Sequence, residues 1–68
     1  MQVTAILTPA EEGGFVAFNP ETGSATQGKT VEIALANLRE AVELYIEEFP
    51  IRSVGAPLVT TFNVALHA

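Results

Sequence analysis

Cysteine, aspartate and tryptophan are missing from the 68 residues, which carry one histidine and three basic side chains. Without cysteine there are no disulfides and no thiolate metal sites. His67 alone cannot assemble a metal cluster, so neither a metal nor another cofactor is expected. Three cations against eight glutamates leave a net charge of −5. That balance opposes direct contact with nucleic acid, because such binders cluster lysine and arginine. No apolar run approaches the roughly 20 residues that span a bilayer. The opening "MQVTAILTPAEEGG" also lacks the basic start and long apolar core of a signal peptide. A cytoplasmic protein without membrane contacts is expected. Its length allows one domain, residues 1–68. A domain of this size buries only roughly 60% of the surface that its unfolded chain exposes. With disulfides and metals excluded, self-association is the remaining means of stabilisation, and a homo-oligomer is expected.

What is present is strongly patterned. "QVTAILT" (2–8) alternates, with Val3, Ala5 and Leu7 on one side and Ile6 on the other, as a half-buried strand does. "PAEEGG" (9–14) is a turn, and "FVAFN" (15–19) completes a hairpin. Phe15 shares a face with Ala17, and Val16 shares the other with Phe18, so both faces are apolar. After "PETG", a short third strand fits "SATQ" (24–27). Thr30 is placed to cap a helix over 31–48. Val31, Ala34, Leu35, Leu38, Ala41, Val42, Tyr45 and Phe49 recur there at steps of three and four. Pro50, Gly55 and Pro57 end it, and "LVTTFNVAL" (58–66) alternates as a fourth strand. The order strand-strand-strand-helix-strand predicts an α+β fold, a small antiparallel sheet with one helix packed on one face. One helix covers one side only. Ile6, and either Phe15 or Val16 with Phe18, are then left to a second protomer or a partner.

"GSATQGKT" (23–30) matches the phosphate-binding loop pattern G-x-x-x-x-G-K-[ST]. That mechanism needs a buried parallel strand feeding a helix, and parallel strands need crossover connections. A single helix and hairpin-length turns cannot supply them, and no aspartate is present to hold Mg²⁺. The four pattern residues are better explained as turn glycines (Gly23, Gly28), a solvated Lys29 and a capping Thr30. A nucleotide binder is thus the least supported reading. Glu11 with Glu12, and Glu47 with Glu48, lie in a turn and at a helix end rather than in a shielded cleft, so no catalytic pair is expected. A non-enzymatic protein is the expectation.

The stretch "EEGGFVAFNPETGSATQGKTVEIALANLREAVELYIEE" resembles the N-terminal domain of HicB-like antitoxins. Gly13, Gly14, Phe15, Val16 and Ala17 match that family's hairpin, and Pro20, Gly23, Gly28 and Thr30 match its third strand and helix cap. Ala34, Leu35, Asn37, Leu38, Glu40 and Ala41 match its helix. The chain departs from the family in having "ETGSA" where Leu-Pro-Gly-Cys is common, and Ile33 where a glutamate would complete a capping box. The DNA-binding segment that follows in full HicB antitoxins finds no room here, so operator binding is not carried over.

The resemblance implies a homo-oligomer that binds a small basic RNA-cleaving toxin and occludes its RNA site. Glu40, Glu43, Glu47 and Glu48 are the candidate partner-binding residues, since their carboxylates suit the lysines and arginines that would otherwise hold RNA phosphates. Ile6, Phe15, Val16 and Phe18 are the candidate oligomer interface. A solitary homo-oligomer without a toxin is the alternative.

Overall fold

The computed structural model describes residues 1–52 and 55–67. Alternation in the first apolar stretches yields strands β1 (Ile6–Pro9) and β2 (Phe15–Asn19), followed by β3 (Ser24–Gly28) and helix α1 (Val31–Glu48). The sheet order is β1-β2-β3, and both pairings are antiparallel. Ile6 lies opposite Phe18 and Phe18 opposite Ala25, while Val16 lies between Thr8 and Gln27. The α+β class with one helix on an antiparallel sheet is therefore the observed one.

Strand β1 begins later than the alternation suggests. The backbone of Thr4 is engaged by side chains instead of by β2: its N–H donates to Glu21 Oε1 at 2.9 Å, and its carbonyl accepts from Asn19 Nδ2 at 2.8 Å. At its other end Pro9 closes an edge strand, where a missing N–H is tolerated.

Helix α1 starts as expected. Thr30 is its N-cap, with Oγ1 accepting from the Ile33 N–H at 3.1 Å, a contact worth about 1 kcal/mol. Ala34, Leu38 and Val42 are buried against Ala17, and half-buried Ala5, Leu7, Phe15 and Ile46 complete the core. Ile46 belongs to this face although it lay outside the expected stripe, whereas Val31, Leu35, Tyr45 and Phe49 remain exposed. The cause is the position of the helix. It lies over β3 and β2 rather than over β1, so only part of its apolar arc meets the sheet.

Two side chains tie α1 to β3. Thr26 Oγ1 donates to the Ala34 carbonyl at 3.0 Å, and Asn37 Nδ2 donates to the Gln27 carbonyl at 2.9 Å. Gly28 permits the approach, because a Cβ there would lie 2.4 Å from the Ala34 nitrogen.

The fourth strand is a correction. Residues 55–67 carry no regular secondary structure, and Leu58 and Leu66 are each 92% exposed. Strand structure is stabilised by cross-strand neighbours. Among the described residues no strand lies beside 58–66, so alternation alone does not make it a strand.

Candidate functional site

On an α-helix, residues three and four apart stand above one another. Glu40, Glu43 and Glu47 therefore form one row along α1, with Glu48 at its end, and all four are exposed. The last turn holds no basic residue to offset them. Carboxylates at a helix C-terminus are opposed by the macrodipole, at roughly 0.3–1 kcal/mol each. The row is thus a negative surface on a helix, with Arg39 four residues before Glu43 and no basic residue in the last turn beside Glu47 and Glu48.

The four candidate interface residues are not brought together. Ile6, Val16 and Phe18 share the face of the sheet turned away from α1, with Phe18 39% exposed and in register with Ile6. Phe15 alternates to the opposite face and packs against the core beneath the helix. It is withdrawn from the outer-face set.

A polar cluster at the other end of the sheet was not anticipated. Asn19 is fully buried. Its Nδ2 donates to the Thr4 carbonyl at 2.8 Å and to Glu21 Oε1 at 2.7 Å. Its Oδ1 accepts from the Thr22 N–H at 2.8 Å and from Thr22 Oγ1 at 2.7 Å. Thr4 Oγ1 donates to Glu21 Oε2 at 2.8 Å, and Ser24 Oγ lies 2.7 Å from Thr22 Oγ1. The cluster clamps the start of the chain to the β2–β3 turn. "NPET" carries a signal for it, since asparagine readily bonds its own backbone two or three residues on. The long-range partner Thr4 leaves no such mark.

Within this cluster the Thr4 N–H, first among several donors, holds the Glu21 carboxyl below its usual range, against some desolvation. A depressed folded-state pKa adds stability that is present above the unfolded value, about 4.3, and is lost as pH falls through the folded value. Glu21→Gln should therefore lower the melting temperature more near pH ~7 than near pH ~3, below the unfolded value, where this contribution is being lost. An equal gap at both values would remove the carboxylate charge as its source.

The phosphate-loop pattern does not form a loop. Ser24–Gly28 is strand β3, paired antiparallel with β2, so its backbone is not wrapped round an anion. Gly23 makes a turn at φ 80°, Lys29 is exposed, and Thr30 caps α1. Among the described residues, no three histidine or acidic side chains converge as a metal site requires. Among the described residues no helix is long and apolar enough to cross a membrane.

An open groove runs between the start of the chain and α1. Val3, Ala5, Leu35, Leu38, Val42 and Ile46 line it, with Glu32, Arg39 and Glu43 at its margin. It lies on the flank that α1 leaves uncovered by sitting over β3 and β2.

No family model matches the chain, and no solved structure matches it. A UPF0150 protein of Thermoplasma acidophilum is 36% identical over 69 residues, covering 100% of both chains. A UPF0150 protein of Synechocystis is 42% identical over 48 residues, 69% of this chain and 67% of its own length. A UPF0150 protein of Helicobacter pylori is 43% identical over 47 residues, 68% of this chain and 64% of its own.

Proposed function

The chain belongs to the UPF0150 family, and from that premise we propose that it is a non-enzymatic, cytoplasmic, HicB-like antitoxin. In this reading it binds a small basic RNA-cleaving toxin and covers the surface that holds RNA. The observation that carries the reading is the row Glu40, Glu43 and Glu47, ending in Glu48, exposed on α1 without a basic neighbour in the last turn. Lysines and arginines that grip phosphates would pair with such carboxylates, and charge complementarity of this kind speeds encounter and fixes register. The resemblance of "GGFVAF" and "ALANLREA" to HicB-like domains supports the same reading.

The test is a charge reversal. Tagged protein should capture from its host a small basic protein that high salt releases, and the added chain should stop that protein's RNA cleavage. Glu40→Lys, Glu43→Lys and Glu47→Lys combined should abolish both effects while the helical circular dichroism is kept, with a loss of about a hundredfold or more in affinity. Unchanged inhibition by the triple variant would sink the assignment to this face.

A second reading is favoured by the apolar surface. Leu44, Phe49, Leu58, Phe62 and Leu66 are all more than half exposed, more than a protein alone in water usually presents in connected patches. A homo-oligomer that acts without a toxin would account for them. Recovery of nothing except further copies of the same chain would favour it.

A further inference from the structure

Two parts of this chain fit each other and are apart in the structure. One is the groove between residues 1–5 and α1, where the chain runs on into β1, an edge strand whose outer side has no strand partner among the described residues. An unpaired edge is a ready template for another strand. The other is residues 58–66, in which Leu58, Thr60, Phe62, Val64 and Leu66 occupy one side of an alternating pattern. Phe62 is 84% exposed, Val64 66%, and the two leucines 92%.

The lengths agree. Nine residues of extended chain span about 30 Å, more than the four residues of β1. The added strand would therefore also run along the chain start that lines the groove, beside the 18-residue α1 of about 27 Å. The chemistry agrees as well. The groove is lined mainly by apolar side chains, Val3, Ala5, Leu35, Leu38, Val42 and Ile46, with Glu32, Arg39 and Glu43 also along it. Residues 58–66 hold no charged residue to bury against the apolar part. A strand laid beside β1 would cover the flank of α1 that the three-stranded sheet leaves open.

We propose that residues 58–66 insert as an added strand along β1 of a second copy of this chain, reciprocally, giving a strand-exchanged dimer. The second copy is preferred to the same chain because the molecule is extended rather than closed. The radius of gyration is 14.1 Å and the longest extent 47 Å, whereas a closed domain of this length has a radius of about 11 Å. Pro50 follows the helix directly, and Pro57 precedes the arm, each restricting the backbone that would have to fold back. Exchange of one element between copies is a low-cost route to a closed two-fold assembly. Each arm adds one phenylalanine, itself worth about 150–250 Å² of burial, and three aliphatic side chains. Two arms with their grooves reach the scale of a standard interface, about 800 Å² per partner. This inference does not depend on the toxin reading, and its test contains no toxin.

The absence of cysteine makes cross-linking clean. Phe62 is the midpoint of 58–66, and Arg39 lies near the midpoint of α1 at the groove. The pair therefore meets whichever way the added strand runs. Phe62→Cys protein, mixed with differently tagged Arg39→Cys protein and oxidised, should give a mixed disulfide dimer. The double variant should give dimers joined by two disulfides. A double variant that closes only within one chain, or a mixture without the mixed product, would overturn the proposal. Light scattering gives an independent reading. The unaltered chain should have twice its 7.2 kDa mass, and Phe62→Glu should weaken the dimer by roughly thirtyfold or more. Phe62 makes no core contact within its own chain, so that variant should keep its helical circular dichroism. A monomeric parent, or a Phe62→Glu dimer of parental strength, would overturn it too.

Discussion

Gly28→Ala should cost roughly 3 kcal/mol or more of folding stability, at the upper end of what overpacking does in protein cores. The added Cβ would lie 2.4 Å from the Ala34 nitrogen, 2.8 Å from its Cα and 2.8 Å from the Ile33 carbonyl carbon. All three are backbone atoms of the first turns of α1, so no side chain can rotate away. The helix would have to retreat by about 1 Å to reach ordinary contact distance. That retreat would stretch the Thr26–Ala34 and Asn37–Gln27 hydrogen bonds and loosen Ala34 and Leu38 from Ala17. A chain of 68 residues has a total stability of about 3–10 kcal/mol, so the variant should be largely unfolded at modest urea concentration. Gly23→Ala provides the comparison. Nothing lies within 4 Å of a Cβ there, but φ is +80°, so only the left-handed backbone penalty of about 1–2 kcal/mol applies. Urea midpoints that rank Gly23→Ala below Gly28→Ala, or a Gly28→Ala midpoint equal to the parent's, would show that the helix does not sit this close to β3.

Asn19→Ala should cost roughly 1–3 kcal/mol, because truncation leaves the half-buried Thr4 carbonyl and Thr22 N–H without their side-chain partner. The Asn19 amide satisfies the Thr4 carbonyl, Glu21 Oε1, the Thr22 N–H and Thr22 Oγ1 at once. Glu21 Oε1 would keep the Thr4 N–H and Thr22 Oγ1 would keep Ser24, so the loss falls on the Thr4 carbonyl and the Thr22 N–H. Asn19→Asp separates hydrogen bonding from shape. It keeps the acceptor for Thr22 but sets a second carboxylate against Glu21 Oε1, where the amide nitrogen stood at 2.7 Å. Like charges this close disfavour double ionisation. The aspartate variant should therefore be weakest near neutral pH and recover part of its stability in mild acid, while the alanine variant should show no such recovery. Melting curves across pH decide it. Parallel pH profiles for the two variants would mean that the amide acts as a spacer and not as a donor to Glu21.

Most of the element order could be read along the chain. The stripe from Ala34 to Val42 gave the helix its buried face, and Thr30 marked its start, because caps and 3.6-residue periodicity are local properties. The hairpin glycines were equally legible, and Gly14 combines φ +78° with a Cβ position 2.6 Å from the Gly28 carbonyl oxygen. The two faces of β2 were harder. Phe15 and Val16 are both apolar, so alternation alone could not say which of them looks toward α1. The acidic row on α1 followed from spacing, as did its exposure. The groove did not, since it exists only because α1 settles to one side of the sheet.

Alternation over 58–66 was read as a strand because the pattern suits one, yet a strand is a relation between two segments. The pattern specifies which side of the arm is apolar; it does not specify what the arm lies against. The same division runs through the rest of the protein. Composition and local spacing determined, from the sequence alone, an acidic chain without disulfides, three of the four expected strands, the turns between them, and one capped amphipathic helix. Tertiary structure decided which face of β2 meets the helix, why Gly28 cannot carry a side chain, how Thr4 is held by Asn19 and Glu21, and that 55–67 leaves the layer uncovered. Those depend on contacts between residues far apart in the chain, and such contacts arise from packing and hydrogen-bond satisfaction across elements, which no local window of sequence contains.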